Sequence, residues 1–163
     1  MPIVDMPIEQ LRKYFGTNEK PSDFDEYWNN NIKIAGSLDT KTEIVPDSFK
    51  NPAAEFYHIY FTGTGNARVH AKLVVPKNHS GKCPALLHFH GYSGRSADYE
   101  TYMCYSALGF VVAALDCRGQ GGYSFELGEG VHGDTMIGQL ALGLQSGKEN
   151  LLYKHMFLDT YLL

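Results

Sequence analysis

Apolar residues fall into two rhythms along this chain, and the change near residue 41 divides its organisation. Up to residue 36 the spacing is helical. Pro7 to Phe15 reads as a helix stopped at Gly16. Ser22 or Asp23 then stands at a cap position before a second helix, which carries Phe24, Tyr27, Trp28 and Ile32 toward Gly36. Such a stripe fits core packing; an aromatic substrate platform is the alternative reading.

From residue 41 the period shortens to that of strands. Glu43 to Pro46 is a short candidate, and Glu55–Phe61 and Arg68–Val75 are stronger ones. Between these two lies Thr62-Gly63-Thr64-Gly65-Asn66-Ala67, whose glycines suit a hairpin turn. Ala85 to His90 is apolar nearly throughout and reads as a strand buried on both faces. A helix from Asp98 to Leu108, stopped at Gly109, leads to a further buried strand at Phe110–Asp116. Strand, helix and strand in this order make a βαβ unit with a right-handed crossover. Arg118 to Gly147 is a glycine-rich excursion of the kind that lines sites or interfaces. A last helix spans Lys148 to Leu163 and finishes on apolar residues without a stop signal, as a truncated chain would.

Composition narrows the function classes. Of 163 residues, 44% are hydrophobic and 20% charged, which is ordinary for one folded domain and excludes disorder. A net charge of −4 with no Lys/Arg run argues against nucleic acid as a partner. No apolar run approaches membrane-span length and no signal peptide is visible, so neither membrane nor export is expected. Cys83, Cys104 and Cys117 form no Cys-x-x-Cys pair, and read as reduced, buried structural thiols in a cytoplasmic protein.

The candidate chemistry centres on Gly91-Tyr92-Ser93-Gly94-Arg95, where an apolar strand runs into a glycine turn. A loop of this kind delivers backbone N–H groups to a fixed point, which is what an oxyanion hole requires. Gly91 lets the chain turn and substrate approach, and Tyr92 is the residue whose N–H points into the site. A plain strand-to-helix turn accounts for Gly91 and Gly94 equally, but not for the tyrosine between them. Ser93 as the nucleophile is opposed by Arg95 at a position where an elbow needs a small residue. His88 and His90 share the spacing of a metal pair, or are simply hydrogen-bonded residues flanking the loop. Asp116-Cys117-Arg118-Gly119-Gln120-Gly121-Gly122 fails both phosphate-loop patterns, which leaves Asp116 and Arg118 as structural pins.

Three segments share one order and spacing: His90 to Arg95, Ala114 to Gly122, and His155-Met156-Phe157-Leu158-Asp159-Thr160. With Phe24-Asp25-Glu26-Tyr27-Trp28 near the start, they resemble the acetyl xylan esterase / cephalosporin C deacetylase family, carbohydrate esterase family 7. The resemblance spans essentially the whole chain and corresponds to about the first half of a member. It implies an α/β fold, the N-terminal half of an α/β-hydrolase: a mostly parallel sheet with an antiparallel hairpin at its start, flanked by helices. Residues 1–163 would then be one partial domain, 1–36 a helical segment and 41–163 the start of the sheet, ending before the nucleophile elbow.

The activity implied is that of a cytoplasmic serine esterase needing no cofactor, which removes acetyl groups from small acetylated sugars such as xylo-oligosaccharides. Members assemble as ring-like homo-hexamers. Tyr92, with Gly91 beside it, matches the position whose N–H binds the oxyanion and whose side chain borders the acetyl pocket. No Gly-x-Ser-x-Gly occurs in these residues, and the family's serine, aspartate and histidine all fall after Leu163. Without them the chain is expected to be inactive alone. It would depend on a complementing C-terminal fragment, or else serve as a non-catalytic assembly partner. In the family topology, strand Ala85–His90 lies beside the strand that leads to the nucleophile. Lacking that neighbour, it becomes a sheet edge prone to association.

Overall fold

The structure, a computed structural model, describes residues 5–125 and 139–163. Five strands form one sheet: β1 (Glu43–Pro46), β2 (Ala54–Thr62), β3 (Arg68–Pro76), β4 (Ala85–Phe89) and β5 (Val111–Asp116), in the order β1-β2-β3-β5-β4. The sheet is mixed. Pairings β1–β2, β2–β3 and β3–β5 are antiparallel, and β4–β5 alone is parallel. The predicted hairpin joins β2 to β3 with Thr62 opposite Arg68, and the predicted βαβ unit runs β4, α3 (Tyr99–Ala107), β5.

Alternation along the strands divides the core into two layers. Phe56, Val74, Val112 and Ala114 face α3 and bury against its Tyr99 and Tyr102. Residues one position along, Phe61, Val69, Ala71 and Leu115, form a second cluster on the opposite face under Leu162 and Leu163. Those leucines belong to the end of α4 (Leu152–Leu162) and the residue after it, and α2 (Phe24–Gly36) packs on the outside of α4. The aromatic stripe of α2 is therefore packing, as its spacing predicts: Trp28 meets Phe157 edge-on at 5.8 Å.

Four expectations are corrected. The first helix, α1, spans only Ile8–Leu11, because its apolar residues find no core and stay exposed. Asp23 occupies the N-cap of α2, but its carboxylate makes no cap and pairs with Lys148 Nζ, a partner invisible to local pattern. β4 is not buried on both faces. As the edge strand among the described residues it leaves Leu87 and Phe89 47% and 43% exposed. The cysteines are free as expected, but Cys104 is exposed and Cys83 and Cys117 only partly buried. Residues 126–138 of the glycine-rich excursion lie outside the described residues.

One buried ion pair fastens α4 to the sheet. Arg118 donates Nε and Nη2 to the Asp159 carboxylate at 2.7 and 2.6 Å, and Nη1 to the Thr64 carbonyl at 2.9 Å. Both side chains are 1% exposed, so losing one partner would strand a charge at a cost of about 3–5 kcal/mol. Thr64 Oγ1 lies 2.8 Å from His155 Nδ1. Burial, then the Arg118 and Lys154 charges, push the His155 pKa down from 6.5 to about 4.

That shift sets a pH dependence. Between pH 6.5 and 4 the unfolded chain binds a proton at His155 that the folded chain refuses, so stability falls as pH falls through this window. Thermal unfolding of the protein and of His155→Asn across that range should differ by roughly 2 kcal/mol at the acid end. Parallel curves would show that His155 carries none of the dependence.

Candidate active site

The parallel pair β4–β5 brings two strand ends and their loops together at one edge of the sheet. The loop after β4 turns tightly, with the Gly94 N–H donating to the Gly91 carbonyl at 3.0 Å. Position 94 must be glycine, since a Cβ there would lie 2.8 Å from Gly91 O and 3.0 Å from the His90 ring. The loop after β5 is stitched to it by the Gly121 N–H donating to the Gly94 carbonyl at 3.0 Å.

Asp116, the last residue of β5, holds both loops. Its Oδ1 accepts the Ser96 N–H at 2.6 Å, and its Oδ2 accepts the Tyr123 N–H at 2.9 Å. Oδ2 also lies 2.7 Å from Nδ1 of His70, the residue directly opposite on β3. Burial alone would raise this carboxyl's pKa, but the bonds from His70, Tyr123 and Ser96 outweigh it and hold the group well below the usual carboxylate range. Gly122 lets the second loop pass close, because a Cβ there would fall 2.1 Å from Asp116 Cγ. The N–H groups of the second glycine loop are thus turned inward: Tyr123 to the Asp116 carboxylate, Gly121 to the Gly94 carbonyl and Cys117 to His90. Asp116 and Arg118 act as the pins their positions imply, although Arg118 reaches α4 rather than the loops.

His90 ties the first loop to the second. Its Nε2 accepts the Cys117 N–H at 2.9 Å, which places its proton on Nδ1 for the Gly91 carbonyl at 2.8 Å. His88 instead points at α3, with Nδ1 3.3 Å from the Tyr102 hydroxyl. The two histidines therefore do not converge, and no group of three or more His, Cys, Asp or Glu among the described residues could hold a metal ion. Ser93 has a left-handed φ of 62°, in keeping with its place in a glycine turn between a strand and a helix. Among the described residues, three imidazoles of these strands are engaged elsewhere: His90 with Gly91 and Cys117, His88 with Tyr102, His70 with Asp116.

Beside these loops opens a cavity of about 190 Å³. His90, Tyr92, Cys117 and Gln120 line it from the sheet edge, and Tyr153, Met156 and Phe157 of α4 line it from the other side. Tyr92 stands at this cavity and is half-exposed; Gly91 is exposed at the turn. Sequence reasoning missed the contribution of α4 and the link from Asp116 to His70. Each depends on contacts between segments far apart in the chain.

A mixed sheet with helices on both faces, and a glycine turn at the end of strand β4 beside a small cavity, define the front half of an α/β-hydrolase fold. The family model for acetyl xylan esterase (AXE1) matches residues 1–163, and the chain belongs to that family. Its structure is similar to acetyl xylan esterase 1 from Thermoanaerobacterium sp. JW/SL YS485, with 49% identity and a TM-score of 0.86, covering 96% of this chain and 49% of that one. It is also similar to the acetyl xylan esterase from Paenibacillus sp. R4, with 26% identity and a TM-score of 0.81, covering 94% and 49%. The chain spans about half the length of both. No helix among the described residues is long and apolar enough to cross a membrane.

Cys117 gives a direct check on the cavity wall. Burial, and then the Asp159 and Asp116 charges, raise its thiol pKa to about 11, so little thiolate exists at pH 8. Iodoacetamide at pH 8 should label exposed Cys104 well before Cys117, read by peptide mass spectrometry. Equal labelling would contradict the described environment of Cys117.

Proposed function

We propose that residues 1–163 supply the oxyanion half of a serine carboxylic-ester hydrolase of the acetyl esterase type. Its substrates would be small acetylated sugars such as xylo-oligosaccharides, and related acetyl esters. The observation that carries this reading is Tyr92 at a small cavity, on a loop anchored through Ser96 to the Asp116 carboxylate. Membership of the acetyl xylan esterase family supports it, as do the names of the two similar structures. The 163 residues act as a single partial domain, with 1–36 as its helical segment and 41–163 as the start of the hydrolase sheet. The nucleophilic serine, aspartate and histidine come from the portion of the family enzyme these residues do not include, whether in the same polypeptide or a second one. The working enzyme is a cytoplasmic homo-oligomer.

In the proposed reaction the serine hydroxyl gives its proton to the histidine as its oxygen bonds to the acetyl carbonyl carbon. The carbonyl oxygen becomes an oxyanion, which accepts a hydrogen bond from the Tyr92 N–H with the adjacent turn at Gly91 giving access. Collapse expels the sugar hydroxyl, which takes the proton, and leaves acetyl-serine. Water then attacks the acetyl-serine by the same route, releasing acetate and restoring the hydroxyl. The cavity walls of Met156, Phe157 and Tyr153 would limit the acyl group to a short one.

A second reading, a non-catalytic assembly partner, is favoured by the open β4 edge and by an apolar cavity of about 440 Å³ between α2 and α4. One experiment separates the two. The chain is assembled with the part of acetyl xylan esterase 1 that it does not cover, and acetate release from acetylated xylo-oligosaccharide is measured. The esterase reading expects activity from the complex. Tyr92→Pro, which deletes the donor N–H, should lower kcat by about 100- to 1000-fold with KM little changed, while Tyr92→Phe keeps the activity. A well-assembled but inactive complex would favour the assembly reading. Full activity in Tyr92→Pro would remove Tyr92 from the oxyanion site.

A further inference from the structure

A continuous polar chain crosses the α3 face of the sheet and ends beneath the candidate site. Asp47 Oδ2 lies 2.6 Å from His58 Nε2, His58 Nδ1 lies 2.7 Å from His70 Nε2, and His70 Nδ1 lies 2.7 Å from Asp116 Oδ2. The inner end is sealed, with His70 0% and Asp116 1% exposed. The outer end is not: the His58 and Asp47 side chains are 21% and 17% exposed.

Each of these contacts is a hydrogen-bond distance between atoms that carry lone pairs, so each needs one proton between them. Neither carboxyl supplies one. Asp116 is held in its ionised form by the donors described above, and Asp47 is held below the usual carboxylate range. There burial would raise it, and the Phe49 N–H donating to Oδ1 at 2.6 Å opposes that. The three protons must therefore sit on the four ring nitrogens of two imidazoles. A pair of neutral rings carries only two, which would leave one contact as lone pair against lone pair.

We infer that His58 and His70 share one imidazolium charge, and that the pair is a positioning device keeping Asp116 ionised beneath the oxyanion loop. The inference rests on the esterase reading for what that loop does. The chain then runs Asp47, His58, His70, Asp116, Ser96 N–H, and from Ser96 back to the Gly91–Gly94 turn that carries Tyr92. His58 and His70 touch no substrate; they act through Asp116.

The surroundings suit a shared cation. Tyr60 of β2 lies 6.0 Å from the His58 ring and 5.0 Å from the His70 ring, Tyr123 lies 5.2 Å from His70, and Tyr99 of α3 lies 6.2 Å from His58. Tyr60 stacks on the His58 ring at 27°, and an aromatic face favours positive charge beside it. The nearby cations are engaged elsewhere. Lys72 Nζ donates to the Ala97 carbonyl at 2.8 Å and pairs with Asp98 at 3.3 Å, and Arg68 lies over Tyr60 and pairs with Glu43 at 3.0 Å. Two carboxylates and one imidazolium leave the chain with a net charge of −1, and its partly exposed outer end at His58 and Asp47 is where protons exchange with water.

The test is ring-nitrogen NMR of ¹⁵N-histidine-labelled protein at pH 7, in the assembled complex, with His58→Gln and His70→Gln assigning the signals. Three protonated nitrogens across the two rings are expected. Asp47→Asn should reduce these to two, because its side-chain amide can donate to His58 Nε2 where the carboxylate could only accept, and the Ser96 amide signal should shift with it. Two protons in the unaltered protein would overturn the inference. So would an Asp47→Asn protein that keeps three protons and an unmoved Ser96 signal. Neither outcome depends on turnover, so failure here stays distinct from failure of the Tyr92→Pro test.

Discussion

The Asp116 carboxylate is the constraint on which the rest of the site depends. It closes strand β5 and accepts backbone donors from the loops after both parallel strands, and His70 on the neighbouring antiparallel strand buttresses it. A buried carboxylate is tolerable only when its lone pairs are filled, and here three donors from three segments fill them. The converse matters equally. The loops are also stitched to each other through Gly121 and Gly94 and through Cys117 and His90, but the carboxylate cannot be moved without leaving its own donors orphaned. Ser124 adds a second tie, its hydroxyl accepting the His70 N–H at 2.8 Å and donating to the Asp116 carbonyl.

Around that hub the fold separates two tasks. The α3 face of the sheet is apolar toward the strand ends that carry Ala54, Val74 and Val112, and polar toward the ends that carry His58, His70 and Asp116. The other face is fastened to α4 by Arg118 and Asp159, and α4 in turn supplies the far wall of the cavity. Loop geometry and cavity shape therefore answer to different interactions. The remaining exposed apolar features, the β4 edge and the groove between α2 and α4, lie outside both. In the similar acetyl xylan esterases, about half of the polypeptide lies beyond the region this chain matches.

Much of this was legible in the sequence, because period and punctuation are local. The alternation of β2 and β3 around their glycine turn, the βαβ unit from Ala85 to Asp116 and the Gly91–Gly94 turn all stand as the pattern predicts. What depends on neighbours was not legible. The apolar run of β4 reads as doubly buried by pattern alone, and only the family resemblance points to the open edge that leaves Leu87 and Phe89 exposed. His70 faces Asp116 through a strand register across 46 residues, and Asp23 leaves its cap for Lys148 across 125. Asp116 could be named a pin from its place at a strand end; that it pins two loops at once required the fold.

The most direct test of this account is amide hydrogen exchange in Asp116→Asn. The amide side chain turns one acceptor into a donor facing the loop N–H groups. Exchange at Ser96 and Tyr123 should therefore quicken by at least about tenfold. The β1–β2 and α2 amides serve as the internal reference and should keep their protection. Unchanged exchange at Ser96 and Tyr123 would contradict the account, and the placement of the two loops would then have to come from something other than the Asp116 carboxylate.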